Sequence, residues 1–445
     1  MRLEIPADVN AVVAKLQSAG HEAYVVGGCV RDALRGVEPE DWDVATDAKP
    51  KEVQQLFRSS LYTNRFGTVV VRADEREIEV TTYRLEADYA DHRRPEHVAF
   101  TESLEADLSR RDFTMNAMAW RPLNGSEGEL VDPYGGKRDL ANKVVRAVGD
   151  PDERFAEDAL RMLRAVRFAT LLGFSIEPRT AEAITRKSAL AAELSGERIQ
   201  QELVKILGAE RPSIGFRLLS DLGLLAVICP ELEICRTIPQ DKAVAQDVFE
   251  HSLVTVDATP RDDLVLRLAG LFHDVGKPDT FADGHFHQHE FVGEHKTRLI
   301  LRRWKFSKDL IAQVTHLIRN HMFWYQEDWS GSAVRRFIRK IGLENIPALF
   351  ALRRADNIGS GIRSPRLYAL EDLWQRVEEE IQRATAFSPR DLEIDGNDVM
   401  RELGLEPGTE VGRIIRELFE RVLDNPDLNA RDSLLLEARN IHASH

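Results

Sequence analysis

Strand signals in this chain nearly vanish after Pro151. Before it, β-branched runs alternate with polar residues, as in Glu77-Ile78-Glu79-Val80-Thr81-Thr82-Tyr83-Arg84, a pattern that sets one strand face on a core. Thr68-Val69-Val70-Val71 is placed to be its hairpin partner, and Ala23-Tyr24-Val25-Val26 reads as a buried strand. After Pro151 apolar residues fall at helical spacing with almost no strand signal. The expected fold is an α/β head, a small mixed sheet with helices, followed by an all-α remainder. Helix breakers at Glu210-Arg211-Pro212 and Ile238-Pro239-Gln240 are its expected internal boundaries.

With 445 residues the chain can bury a sizeable core. It holds no apolar run long enough to span a bilayer and no signal-peptide pattern at Met1-Arg2-Leu3-Glu4. Cys29, Cys229 and Cys235 form no Cys-x-x-Cys pair, so reduced thiols and a cytoplasmic location are expected. A net charge of −14 argues against a surface coated in positive charge for nucleic acid. Local patches remain open, because binding follows patches rather than totals. Arg93-Arg94, Arg110-Arg111 and Arg335-Arg336 could supply them.

The first strand runs into Gly27-Gly28-Cys29-Val30-Arg31-Asp32, and Asp41-Trp42-Asp43 follows. Glycines let backbone N–H groups approach a triphosphate. On a strand, carboxylates two residues apart share a face, and paired carboxylates can hold Mg²⁺ ions for phosphoryl transfer. Arg110-Arg111-Asp112-Phe113-Thr114-Met115-Asn116-Ala117 offers guanidinium forks for phosphate and polar groups for ribose. Asp132-Pro133-Tyr134-Gly135-Gly136 is a turn, read as a hinge. Glu157 to Phe168 reads as one helix with Asp158 and Arg161 on a shared face. An acceptor beside a donor matches the Watson–Crick edges of cytosine and adenine and opposes those of guanine and uracil, which leave buried groups unpaired.

With Glu197-Arg198-Ile199-Gln200-Gln201-Glu202-Leu203 added, these motifs stand in the order of the class II tRNA nucleotidyltransferases, the CCA-adding enzymes of the polymerase-β superfamily, which the chain resembles. The resemblance is strong over the first half and returns at Leu392 to Met400, Leu403-Gly404 and Pro407-Gly408. It implies template-independent addition of CCA to a tRNA 3′ end from CTP and ATP, with no DNA and no membrane involved, by a monomer or homodimer. It assigns Mg²⁺ to Asp41 and Asp43, the triphosphate to Gly27, Gly28 and Arg31, and ribose and phosphate to Arg111, Asp112 and Asn116. Asp158 and Arg161 template the base, and Arg164 lies on the same side. Glu79 is a weaker addition to the metal site. Glu86 to Pro95 resembles the loop that switches such enzymes from C to A, which favours a full CCA adder or an A-only adder. A poly(A) polymerase or an inactive tRNA-binding protein is less well matched.

A second chemistry lies in Leu271-Phe272-His273-Asp274-Val275-Gly276-Lys277. An adjacent His-Asp pair resembles the centre of the HD metal-dependent phosphohydrolases. His251 before it, and His295, His321 and Asp356 after it, complete that family's order of ligands. Such a set suits one or two Mn, Fe, Co, Ni or Zn ions, and Lys277 could neutralise a phosphate oxygen. His285, His287 and His289 read as loop residues on the rim. The resemblance implies phosphatase or 2′,3′-cyclic phosphodiesterase activity in RNA-end repair. The expected organisation is a nucleotidyltransferase head over 1–150, a helical neck over 151–235, an HD domain over 236–365 and a tRNA-facing body and tail over 366–445.

Overall fold

The alternating runs of the N-terminal third pair into one seven-stranded mixed sheet. Its order is Ser60–Tyr62, Thr68–Ala73, Arg76–Thr82, Asp43–Thr46, Ala23–Val26, Ala119–Asn124, Glu127–Val131. Only the pairing of Asp43–Thr46 with Arg76–Thr82 is parallel. Thr68–Ala73 and Arg76–Thr82 form the expected antiparallel hairpin, and all four residues of Ala23–Val26 are buried. The structure is a computed structural model describing residues 2–62, 67–73, 76–87, 97–124, 127–240, 242, 244–282, 285–361, 365–383 and 386–444. The expected switching loop, from Glu86 to Pro95, lies outside the described residues from Asp88 onward.

From Pro151 the chain is helical, its described strands being two-residue pairs such as Ser175–Ile176 and Phe281–Ala282. It divides into two compact units: Met1–Glu233 with Arg303–Phe306, and Ile234–Arg302 with Ser307–His445. In the first unit, the helices Leu160–Leu172 and Gly196–Leu207 bury Met162, Leu163, Val166, Leu203 and Ile206, and a buried Arg167–Glu202 ion pair of 2.8 Å joins them. In the second, buried Arg335 donates to Leu423 O at 2.7 Å and pairs with Glu380, linking Gly331–Ile341, Pro365–Arg383 and Thr409–Asp424. Ile414, Leu418, Phe419, Leu434 and Ile441 close the C-terminal core. No described helix is long and apolar enough to cross a membrane. All three cysteines are buried, and none is in a disulfide.

Candidate active sites

Two centres emerge, one in each unit. In the first, Gly27 ends its strand at φ +82°, where a Cβ would lie 2.7 Å from Arg111 Nη1 and 3.8 Å from Asp43 Oδ2. Glycine alone meets both constraints without strain. Asp43 opens the neighbouring strand opposite Val26. Asp41 does not share that strand. It is exposed in the bend before it, separated from Asp43 by the buried Trp42, so the alternation survives in burial but not in strand geometry. Glu79 lies opposite Asp43 across the parallel pair. Burial pushes the Asp43 carboxyl up to about 6; Arg111 opposes this, while Glu79 and Asp41 reinforce it.

Asp112 is the hub of the opposite wall. Its carboxylate accepts from Arg164 Nε at 2.8 Å, Asn116 Nδ2 at 3.0 Å and the Phe113 amide at 2.8 Å. Arg31 donates to Asn116 Oδ1 at 2.7 Å. Burial alone would raise the Asp112 carboxyl, but Arg164 and Asn116 hold it at about 2. The Phe168 ring carries the guanidinium groups of Arg31, Arg164 and Arg167 within 4.2–5.4 Å, a cation–π arrangement that fixes the fan of charge. Gly136, in the turn read as a hinge, packs against this motif: a Cβ would lie 2.1 Å from Thr114 O. Asp132 caps that turn through the amides of Gly136 and Lys137 at 2.7 and 2.9 Å.

Asp158 and Arg161, expected to template the base, are built differently from the expected single helix. Pro151–Glu157 and Leu160–Leu172 are separate helices, and Asp158 sits in the break with extended backbone. Its Oδ1 accepts from the Leu160 amide at 3.0 Å, capping the second helix. Asp158 and Arg161 do not pair with each other. Arg198 donates to both Asp158 oxygens at 2.9 and 2.8 Å, and Arg161 is held by Glu157 Oε2 at 2.6 Å and Arg110 O at 2.9 Å. Arg198 is a further functional candidate, to which the sequence motif alone assigns no role. Its place in the Glu197–Leu203 motif was visible, but its partner was not.

These residues line one cleft of about 540 Å³, within the range of small-molecule sites. Arg31, Arg110, Arg111, Arg161, Arg164 and Arg198 face Asp43, Asp112 and Asp158 across it, with Gly27 and Gly28 at the edge. An acidic chain thus concentrates positive charge where a triphosphate could bind. Arg111 Nε and Arg198 Nη1 are buried without a protein partner, which leaves donors for a ligand.

The second unit brings His251, His273, Asp274, His321 and Asp356 together. Asp274 stands between two half-sites. Its Oδ2 lies 3.3 and 3.2 Å from Nε2 of His251 and His273, and its Oδ1 lies 3.2 and 3.8 Å from Nε2 of His289 and His321. Asp356 Oδ1 is 3.1 Å from His251 Nε2. Ligands about 2.1 Å from a shared ion stand about 3 Å apart at right angles, so the spacing fits metal coordination. His273, His289 and His321 each turn Nδ1 to a backbone carbonyl, of Gly270, Phe286 and Ile318, at 2.7–3.0 Å. That fixes the tautomer with Nε2 free for a metal. Burial and the neighbouring His273 lower His321 to about 3, keeping the imidazole neutral.

His295 is not part of this cluster. It is exposed on the helix His289–Arg303, and His289, read as a loop residue, starts that helix, is buried and takes its place. Six positions turn a helix by about 240°, so the two cannot share a face. Backbone contact sets the register: a Cβ on Gly276 would lie 2.2 Å from His289 O and 2.5 Å from Gly293 N. Gly276→Ala should therefore cost about 1–3 kcal/mol and push His289 from Asp274. Thermal unfolding and metal content should both fall, and an unchanged metal content would contradict this role. Gly359 plays the same part for Asp356, since a Cβ there would meet Thr255 Oγ1 at 2.3 Å.

A seven-stranded mixed sheet bearing a carboxylate and an arginine-rich cleft, joined to a helical remainder, defines a nucleotidyltransferase with a polymerase-β-type head. The family model of the poly A polymerase head domain matches residues 23–146, and that of the tRNA nucleotidyltransferase domain 2 matches residues 289–438. A model described as "Probable RNA and SrmB- binding site of polymerase A" matches residues 173–235. The chain is 34% identical to the CCA-adding enzyme of Enterococcus faecalis over 96% of its length and 94% of that protein's. It is 33% identical to that of Limosilactobacillus reuteri over the same shares. The crystal structure of the Bacillus stearothermophilus CCA-adding enzyme in complex with CTP superposes with TM-score 0.73 and 27% identity, covering 99% of this chain and all of that one. The fold is also that of the Thermotoga maritima CCA-adding enzyme complexed with tRNA, at TM-score 0.59 and 17% identity over 98% and 97% of the two chains. The chain belongs to the CCA-adding enzyme family.

Proposed function

We propose that the first unit adds CCA to the 3′ end of tRNA from CTP and ATP. The cleft that gathers Asp43, the glycine turn, six arginines and Asp158 carries this reading. The terminal tRNA hydroxyl attacks the α-phosphorus of the nucleotide; a new P–O bond forms, the bond to the β-phosphate oxygen breaks, and pyrophosphate leaves as the hydroxyl loses its proton. Mg²⁺ on Asp41 and Asp43 would neutralise charge developing on the phosphates, and their hard oxygen donors suit that ion. Arg31, Arg111 and Arg164 hold phosphate and ribose, oriented by Asn116 and Asp112.

Asp158 selects the base. A carboxylate has about four acceptor positions, so it can keep Arg198 and still accept from the exocyclic amino group of C or A, while Arg161 donates to the ring nitrogen. Asp158→Ala or Arg161→Ala should relax selection against G and U by about 1–3 kcal/mol, or roughly 5- to 150-fold. Single-nucleotide incorporation with each of the four NTPs measures it. A lowered rate with unchanged selectivity would make the pair structural.

A second reading rests on the His–Asp cluster. We infer that it is a phosphohydrolase centre for phosphomonoesters or 2′,3′-cyclic phosphates at RNA ends. The bridging position of Asp274 between two half-sites supports two transition-metal ions. Water adds to phosphorus, one P–O ester bond breaks, and the proton goes to the departing oxygen. Lys277, 2.6 Å from Asp274 Oδ2, and Lys242, 3.1 Å from His251 Nε2, put ammonium charge at the cluster for a phosphate. Hydrolysis of adenosine 2′,3′-cyclic phosphate with added Mn²⁺, Co²⁺ or Ni²⁺ tests it.

A further inference from the structure

Beside the His–Asp cluster lies a pocket with no role in the chemistry above. Its cavity is about 150 Å³ and is lined by Phe323, Trp324, Tyr325, Arg353, Leu370 and Leu373, among others. A cavity of about 150 Å³ admits a benzene-sized ring. Leu370 and Leu373 form a buried apolar floor. Trp324 is 73% exposed, which is unusual for so large an apolar side chain. Phe323 is packed into the aromatic core against Phe337 and Phe350 at ring distances of 5.3 and 5.8 Å, and Tyr325 is held by Arg376 at 3.0 Å. Trp324 is thus presented to solvent between two anchored neighbours.

The pocket and the cluster share a wall. Arg353 Nη1 donates to Asp356 Oδ2 at 2.7 Å, while the other oxygen of that carboxylate faces His251. The same guanidinium stands 5.8 Å from the Phe323 ring. Asn357, next in sequence to Asp356, also lines the pocket, and Phe323 lies two residues beyond His321. A flat apolar ring in the pocket would therefore hang beside the place where a phosphate would meet the metals. Protein aromatics and arginine planes stack on any nucleobase, whatever its hydrogen-bonding edge.

We propose that this pocket is a base-binding subsite, in which Trp324 stacks on the terminal nucleobase of an RNA whose 2′ or 3′ phosphate enters the His–Asp cluster. The proposal rests on the phosphohydrolase reading and narrows its substrate class to nucleotides and RNA ends. The subsite is tolerant of base identity, since stacking rather than edge recognition holds the base.

The test uses the full chain and adenosine 2′,3′-cyclic phosphate, with 1-O-methylriboside 2,3-cyclic phosphate as the base-free control. Titration in EDTA should quench tryptophan fluorescence with the nucleotide and not with the control, and Trp324→Ala should remove that quench. With Mn²⁺ present, Trp324→Ala should raise KM for the nucleotide about tenfold or more. KM and kcat for the base-free compound, and the bound metal, should stay unchanged. Trp324→Phe should restore most of the affinity. Because Trp324 is exposed, the unfolding midpoint should not move. Equal quenching by parent and Trp324→Ala, or an unchanged nucleotide KM in the variant, would overturn the subsite. Absence of hydrolysis in the parent would instead sink the phosphohydrolase reading, while the fluorescence arm would still decide the pocket.

Discussion

Asp43→Asn should abolish nucleotide addition, lowering kcat/KM by about 10³-fold or more, and leave the unfolding midpoint unchanged or higher. On the proposed assignment, losing one of the two carboxylates that would hold Mg²⁺ removes several kcal/mol of transition-state stabilisation, at about 1.4 kcal/mol per tenfold. Stability moves the other way because burial disfavours the charged form of this group, raising it to about 6. Its native value lies above its unfolded one, so the folded state binds the proton more tightly, and stability is lost as pH rises from the ordinary carboxylate range through about 6. The parent's activity should accordingly fall as pH drops through about 6, where protons compete for the metal ligand. Primer-extension rates on tRNA and a thermal melt check both halves. Activity within tenfold of the parent would remove Asp43 from the chemistry.

Asp274→Asn should strip the second centre, eliminating metal-stimulated hydrolysis of 2′,3′-cyclic phosphates and lowering bound transition metal to background. Among the described residues, Asp274 is the one carboxylate facing all four histidines, and the charge with which it would bridge two ions is lost in the amide. Nucleotide addition in Mg²⁺ should persist, because the two centres share no ligand and lie in separate compact units. Metal analysis alongside both assays separates the outcomes. Hydrolysis surviving in the variant would show that the activity resides elsewhere. Addition lost together with hydrolysis would show that the two sites are not chemically separable.

Local pattern made the sheet and its hairpin legible, since β-branched alternation has one cheap solution in a half-buried strand. The resemblance to the HD phosphohydrolases, rather than any local pattern, made His251, His273, Asp274, His321 and Asp356 legible, and all five converge. What escaped was set by distant parts of the chain. Glu157-Asp158-Ala159-Leu160 contains no proline or glycine to signal a break. The helix ends there, where Asp158 caps the next helix and its carboxylate meets Arg198, forty residues on. His289 and His295 were indistinguishable by spacing, because the choice depends on where Gly276 and Gly293 let two backbones touch. Asp41 looked like a strand residue because alternation predicts burial better than it predicts the strand's first hydrogen bond; the strand begins only at Asp43.

The most direct test of nucleotide addition is a gel assay on a tRNA lacking its last three nucleotides, incubated with CTP, ATP, GTP and UTP singly and together. The expected products are two added residues with CTP alone, three with CTP and ATP together, and no extension with GTP or UTP. Extension by ATP only on a tRNA already ending in CC would define an A-only enzyme. A long adenosine ladder, or no extension under any mixture, would contradict the account.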